Sequence, residues 1–418
     1  MNTIEEYHHN IIIIGASIAG LASALTLVKQ GFNVVVYERT EEFRRGGAGV
    51  GLDTPTIEYL QKLGIDTSKL VWKMPIEENR DINSRVLHRD ENYNYHSAYW
   101  RCLYASLLSS LPPDVVHFHH NCIKIERIQD KSEKIFVKTV IKPKETPEFY
   151  SIGDIVLGAD GIQSLVREYV RGPEKMSYSG YIAWRGYIDT TDPKTHNFPS
   201  EDALQEFLKE LKSEYSDLGQ CLYFELHDKK TSNVLYMLPG GFVNWLWYRR
   251  QDVITRDTIT FNPTQEETQS MKSDAKLFWG KNFAKLIEAT TAPFVNYIYD
   301  RDPIDQFAYE NIALIGDAAH PARPHRLQAS SMAIKDAWVL GICLGNCKGN
   351  LNQGLKQFEE ERVKETSNIV LFSRYLGDLK QGNMFPELKW TESNFDHNRL
   401  SAQNRLLSWQ EEEKEKKN

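Results

Sequence analysis

Ile11-Ile12-Ile13-Ile14-Gly15-Ala16-Ser17-Ile18-Ala19-Gly20 is the stretch on which the fold turns. Four β-branched residues in a row disfavour a helix start and suit a strand buried on both faces. After the small residues, Leu21, Leu25 and Val28 recur at helical spacing, and Lys29-Gln30-Gly31 supplies a helix end with Gly just beyond it. Val34-Val35-Val36-Tyr37 reads as a second buried strand, and it ends at Glu38, 18 residues after Gly20. Strand, turn, helix, strand and terminal acid are the parts a dinucleotide site needs. Small residues let the backbone approach a pyrophosphate, the helix N-terminus offers free N–H groups, and the carboxylate accepts from ribose hydroxyls. Ser17 stands where the usual fingerprint has its middle Gly, and it is small enough for the same approach.

The same region raises a rival reading. From Ile11 to Val28 run 18 residues without a charge, the length at which a membrane span must be considered. A spanning helix would not begin with four Ile and place Gly15, Ser17, Gly20 and Ser23 along its axis. A parallel-sheet βα unit gives the same hydropathy because it is buried on both faces. The first ten residues are acidic and carry His, unlike a secretory leader. No integral membrane segment is expected.

The chain has 418 residues, 41% hydrophobic and 26% charged, as in an ordinary globular protein. Its net charge of −7 does not suggest a nucleic-acid partner. The five cysteines form no C-x-x-C pair, so they read as structural thiols of a reducing, cytoplasmic setting. His117, His119 and His120 would alternate between strand faces and read as non-ligands; no metal is expected. With 20 Tyr, 18 Phe and 9 Trp, the chain is rich enough in aromatics to line a slot for a flat ligand.

Further along, Gly46, Gly47, Gly49 and Gly51 suggest a loop whose backbone lies close to something flat or phosphorylated. Thr54 is placed to cap a helix carrying Ile57, Leu60 and Leu63. Residues 73–97 are polar and read as lying outside the sheet core. A helix begins near Trp100, with Arg101 at its start. Ile152 to Gly158 forms a buried strand running into Asp160-Gly161. From about residue 176 the character changes: 179–189, 221–227, 233–238 and 243–250 are β-like, and 201–215 and 263–289 look helical. Period-two alternation puts Trp245, Trp247 and Arg249 on one face of their strand, and Tyr181, Ala183, Arg185 and Tyr187 on one face of theirs. Ile312 to Ile315 is another strand, ending in Gly316-Asp317. A loop with Pro321 and Pro324 follows, then helices around 333–344 and 354–378, and the charged tail Glu411–Asn418.

Four signals in chain order resemble the single-component flavin-dependent aromatic hydroxylases of the para-hydroxybenzoate hydroxylase type. They are Gly15-x-Ser17-x-x-Gly20 with Glu38, Arg101 at a helix start, Asp160-Gly161, and Gly316-Asp317 before a proline-bearing loop. The match spans roughly residues 10–345. Gly180 to Gly186, Asn244 to Tyr248 and Arg323-Pro324-His325 look nearest the dihydroxypyridine hydroxylase branch, whose members oxidise phenolic or N-heteroaromatic rings. The resemblance implies an α/β fold with a Rossmann-like FAD-binding domain of the GR2 type, interrupted by a β-sheet substrate domain and followed by C-terminal helices. The expected division is 1–75, 98–175 and 293–345 for FAD, 76–97 and 176–292 for substrate, and 346–418 for the C-terminal helices and tail.

The resemblance also implies residue roles. Gly15, Ser17, Ile18, Ala19 and Gly20 would hold the FAD pyrophosphate, with Arg101 reaching it, and Glu38 would hold the adenosine ribose. Arg39, Gly49, Val50, Asp160, Pro324, Gln328 and Ala329 would also lie against the cofactor. Gly316 and Asp317 would hold the ribityl chain, and Asp160-Gly161 would serve both FAD and the pyridine nucleotide. NADPH or NADH would reduce the flavin, and O2 would then form a C4a-hydroperoxyflavin that hydroxylates a small aromatic substrate. The protein would be a monomer or homodimer. His320 ranks first among catalytic candidates, with helix capping or packing as its alternative; His325 and Arg323 are candidates for contacting substrate or flavin. Trp184, Tyr236 and Trp247 could line the aromatic slot or the core, and Arg185 could meet an anionic substrate or a structural counter-ion. One departure stands out: where the family usually has Gly-Gln-Gly, this chain has Leu327-Gln328-Ala329. Rival readings are an FAD-dependent epoxidase, halogenase or antibiotic-modifying enzyme on the same scaffold, and a non-catalytic ligand-binding descendant.

Overall fold

A computed structural model describes residues 6–41, 49–131, 133–228, 230–347 and 350–383. The Gly46-Gly47 part of the glycine run and the tail Glu411–Asn418 lie outside the described residues. Ile11 to Ile14 belong to the strand Glu6–Ile14, which pairs in parallel with Val34–Tyr37 on one side and Phe149–Gly158 on the other. Both edges are filled, and the four Ile side chains are buried in one core. This is why an unbroken apolar run makes a strand here. The sheet continues with Val116–His117 beyond Val34–Tyr37, and with Ile312–Leu314 and Ala308–Tyr309 beyond Phe149–Gly158. An antiparallel pair, His120–Gln129 and Ile135–Pro143, attaches to Phe149–Gly158. The helix Ile18–Lys29 follows the first turn, and the helix Ala329–Asn346 lies directly on it. A side chain at Gly341 would come within 2.3 Å of Thr26.

A second eight-stranded sheet runs in the order Thr260–Phe261, Phe294–Asp300, Ser177–Asp189, Phe242–Arg250, Thr231–Leu238, Cys221–His227, Ile76–Asp81 and Val86–Asp90. The reading of 73–97 as polar chain outside the sheet core is thus corrected. Ile76–Asp81 pairs in parallel with Cys221–His227, and its charges are buried in pairs. Arg80 bonds Glu225 at 3.0 Å and lies over the Tyr215 ring. Charge hid this strand from a hydropathy reading. Phe294–Asp300 also stays with the second sheet, which therefore runs past residue 292.

One face of this sheet packs on the helices Glu201–Glu214, Gln265–Phe278 and Lys281–Ala289 through Trp184, Trp245 and Trp247. The other face carries Tyr181, Ala183, Tyr236, Leu246 and Tyr248. Against it lies a small three-stranded sheet, Gly49–Asp53, Tyr95–Tyr99 and Val71–Met74. Leu52 and Ala98 of this small sheet join the first core, while Met74 and Tyr99 join the cluster of the second sheet. It is the bridge between the two larger sheets. Asp53, not Thr54, caps the helix Thr54–Lys62 by accepting from Thr56 N–H. The last helix among the described residues, Leu351–Lys380, packs on Ala329–Asn346 and ends on the second sheet, where Gln381 donates to Ser232.

Candidate active site

The sequence motifs converge. Gly15 has a φ of +102°, and a Cβ there would lie 2.5 Å from the Ala159 carbonyl oxygen, next to Asp160. A Cβ on Gly20 would lie 1.9 Å from the Gly15 oxygen, and one on Gly316 would lie 2.7 Å from Ala19. Glycine at these points lets the first turn, the Asp160 strand end and the Gly-Asp turn touch. The first-turn amides of helix Ile18–Lys29 have no side-chain cap, and Ser17 is exposed at its N-terminus. Such an end attracts anions. Glu38 accepts from Ala16 N–H at 2.9 Å and from the Thr40 amide and hydroxyl at 2.9 and 2.7 Å. It holds the turn in shape beside a cleft lined by Ser17, Trp100 and Tyr104. Arg101 is exposed at the start of the helix Trp100–Ser109, and Arg39 is exposed after the second strand.

Asp317 is open to solvent yet ringed by protein, as a group on a cleft floor is. That surround pushes its pKa up, and the nearby Asp336 charge adds to the shift. Asp160 also has a raised pKa, because burial outweighs the hydrogen bonds it accepts from Ser164 and from the Leu165 and Val166 amides. Its carboxylate thereby caps the helix Leu165–Arg171. The open helix end, the glycine contacts and the exposed acid on the cleft floor together fit an extended diphosphate cofactor.

The three catalytic candidates sit in buried networks. His320 Nε2 lies 2.6 Å from Asp336 Oδ2, which also accepts from Gly316 N–H at 2.8 Å; Arg362 holds the other oxygen at 2.8 Å. Burial alone would raise the Asp336 pKa, but His320 and Arg362 bring it down to about 2. His320 therefore braces the Gly-Asp turn from behind. Arg323 is locked between Asp300 at 2.9 Å and Asp378 at 2.7 Å, and Arg374 shares Asp300. These pairs tie the loop to the helix Leu351–Lys380 and to the strand Phe294–Asp300. His325 is buried, with Nε2 2.8 Å from the Tyr181 hydroxyl and its ring against Tyr248. Burial, with Lys380 and Arg323 nearby, drives its pKa well below 6.5, so it is neutral.

The slot candidates divide by strand face. Trp184 and Trp247 point into the core beneath the sheet, and Trp247 Nε1 donates to Thr231. Of the slot and core alternatives, both take the core one. Arg185 and Tyr236 stand on the opposite face, toward the small sheet. Asn244 and Tyr248 share that face by the strand register and were missed, although the alternation that placed Arg185 reaches them through the same pairing. The Tyr236 hydroxyl, Asn244 Nδ2 and Arg185 Nε are buried there without partners. Burial raises the Tyr248 pKa to about 12 and that of Tyr236 further, against the Arg185 charge, so both hydroxyls keep their protons near neutrality. Above this face, a Cβ on Gly49 would lie 2.4 Å from the Tyr236 hydroxyl, and one on Gly51 would lie 2.6 Å from the Leu327 Cβ. What these glycines admit is the chain itself. Val50 points the other way, against the first core. Pro324 opens a short 3-10 turn, and Leu327 ends it with φ +54°. Gln328 donates to Tyr95 at 2.6 Å, accepts from Arg326, and precedes Ala329, the first residue of a helix without a side-chain cap.

A parallel dinucleotide-type sheet with a cleft at its first turn, beside a separate aromatic-faced sheet, suits a protein that binds a dinucleotide cofactor. The chain belongs to the FAD binding domain family, whose model matches residues 8–373. Among curated relatives, a 6-hydroxynicotinate 3-monooxygenase of Pseudomonas fluorescens is 25% identical over 87% of this chain and 90% of its own length. A 3-hydroxybenzoate 6-hydroxylase of Aquipseudomonas alcaligenes is 25% identical over 89% of each. Among solved structures, 2,6-dihydroxypyridine-3-hydroxylase from Arthrobacter nicotinovorans superposes with a TM-score of 0.74 at 21% identity, covering 90% of this chain and 93% of that one. Klebsiella pneumoniae HpxO, complexed with FAD and uric acid, superposes at 0.73 and 19% identity, covering 98% and 97%. The protein is an FAD-dependent hydroxylating monooxygenase, using NADPH or NADH and O2. No helix among the described residues is long and apolar enough to cross a membrane.

Proposed function

We propose that this enzyme hydroxylates a small, electron-rich phenolic or N-heteroaromatic ring. The observation that carries this reading is the convergence of three unpartnered buried groups, on Tyr236, Asn244 and Arg185, on the aromatic face opposite the Leu327-Gln328 turn. A ring bearing hydroxyl or ring-nitrogen groups would offer these three a partner. The flavin supplies the redox and oxygen chemistry when bound. The chain supplies the rest. Ser17 to Gly20 and the open helix end receive the diphosphate, Glu38 the ribose, and Asp317 the ribityl hydroxyls. Tyr236 and Tyr248, held protonated, donate to a ring oxygen, and Arg185 favours an ionised ring. His325, neutral against Tyr181, adds no charge of its own beside Arg323 and Lys380. The names of similar proteins carry hydroxynicotinate, hydroxybenzoate, dihydroxypyridine and uric acid, all flat rings bearing polar groups. Five free cysteines suit a reducing, cytoplasmic setting, and a monomer or homodimer suffices.

The test is NADPH and NADH oxidation under air with a panel of phenols and hydroxypyridines, coupled to product mass. At least one ring should gain one oxygen atom. Oxidation with no ring oxygenated across the panel would count against the proposal. In parallel, Asp317→Ala should emerge from purification without flavin absorbance; full retention would remove Asp317 from the site.

A further inference from the structure

We infer that Trp100 is the platform on which the flat base of the flavin dinucleotide rests, with Tyr104 stacked behind it. The inference rests on the proposed placement of the adenosine ribose at Glu38. The cleft beside the first turn is lined by Ser17, Glu38, Thr40, Glu41, Trp100 and Tyr104. Two helices bring their N-termini to it. Ile18–Lys29 starts just after Ser17, and Trp100–Ser109 starts with Trp100 itself; neither has a side-chain cap. The two helices pack on each other, which fixes Trp100 relative to the first turn. The rings of Trp100 and Tyr104 stand one helical turn apart, with centroids 5.0 Å apart and planes 21° from parallel. Tyr104 is buried, while Trp100 is half-buried against the first core. The tyrosine backs the indole and sets its tilt, and part of the indole is left as cleft wall.

Charge decides which part of the cofactor meets the indole. Glu38 and Glu41 both line this cleft. Their carboxylates repel a diphosphate, which is drawn instead to the open helix ends and to the exposed Arg101. The adenine base is neutral and carries an exocyclic amine, a donor that suits a carboxylate. A ribose at Glu38 joins diphosphate to base and leaves the base within reach of Trp100. The cleft is narrow and walled by a flat ring, so it favours a second flat ring over a bulky group. Stacking a base on an indole needs no hydrogen bond and no particular register. This explains why an aromatic pair, and not a polar cluster, stands beside Glu38.

The experiment measures the FAD dissociation constant of wild type, Trp100→Leu, Trp100→Phe and Glu38→Gln, from the recovery of flavin fluorescence on dilution of each purified holoenzyme. ADP binding to each flavin-free full chain is measured by calorimetry, and the unfolding temperature of that chain is recorded. Leucine keeps apolar volume against the core but offers no flat face, whereas phenylalanine keeps the face. Trp100→Leu should weaken FAD at least about fivefold, the lower end of what base–aromatic stacking contributes, with Trp100→Phe within about twofold of wild type. ADP, which carries ribose and base without the flavin, should lose affinity for Trp100→Leu by the same factor. An unchanged FAD constant in Trp100→Leu would overturn the inference. So would weakened FAD with unchanged ADP, which would set Trp100 against the flavin half. Equal losses in Trp100→Leu and Trp100→Phe with a lowered unfolding temperature would also overturn it, making Trp100 a support for its helix. Glu38→Gln should weaken both ligands; no loss there would count against the ribose placement itself.

Discussion

At the scale of single residues, most of the chemistry-bearing side chains prove to be braces. His320 follows the Gly-Asp motif and looked poised for proton transfer, yet it meets Asp336 at 2.6 Å behind the turn. Asp336, 16 residues further on, carries the arrangement: it binds His320, the Gly316 amide and Arg362 at once. No spacing rule marks such a partner, because the contact is tertiary. Asp336→Asn should destabilise the protein by about 3 to 5 kcal/mol, since the change takes a charge partner from the buried Arg362 and disturbs the bonds to His320 and the Gly316 amide. Denaturant unfolding would measure the change; a loss below about 1 kcal/mol would show that the network is dispensable. The pH dependence has a definite sign. The folded-state pKa is depressed to about 2, so the stabilisation is present above the ordinary carboxylate range and is lost as pH falls toward that value.

At the scale of elements, the hydropathy reading succeeds where burial is apolar and fails where it is charged. The strands Glu6–Ile14, Val34–Tyr37, Ser177–Asp189 and Phe242–Arg250 were visible as β-branched or alternating runs. Ile76–Asp81 was not, because Glu78, Arg80 and Asp81 are buried in ion pairs that no local pattern reveals. Alternation put Trp245 and Trp247 on one face of their strand and Arg185 on one face of its own, but it could not relate the two faces or say which side the small sheet covers. That depends on where the small sheet Gly49–Asp53, Tyr95–Tyr99 and Val71–Met74 docks. The FAD motifs were legible because glycine contacts and a helix N-terminus are local geometry. The roles of Arg323 and His325 were not, since they depend on the helix Leu351–Lys380 coming down on the same loop. Gly377 of that helix would place a Cβ 2.6 Å from the Tyr181 hydroxyl and 2.7 Å from His325.

This junction between loop and helix should be acid-sensitive. His325 has a folded pKa well below 6.5, so acidification favours the unfolded chain as pH falls below 6.5. His325→Gln, which can keep a hydrogen bond to Tyr181, should flatten the stability loss between pH 6.5 and roughly 5. An unchanged slope in that window would mean that His325 is not the group being protonated.

At the scale of the molecule, two sheets with different tasks are joined by three pieces of chain: the small sheet, the Pro324–Gln328 turn and the last helix. The parallel sheet offers a cleft beside its first turn, lined by Ser17, Glu38, Trp100 and Tyr104, while the second sheet turns its aromatic face toward the Pro324–Gln328 turn. That arrangement requires the chain to leave the first sheet and return to it, so sequence order and domain order differ. The family match over residues 8–373 spans both sheets, as a shared site requires. The most direct test of this account is a turnover under isotopically labelled O2 with NADPH or NADH and the best-bound ring. The account predicts a ring product carrying one labelled oxygen atom, formed in step with nicotinamide oxidation. A product whose new oxygen is unlabelled, and so drawn from water, would contradict it.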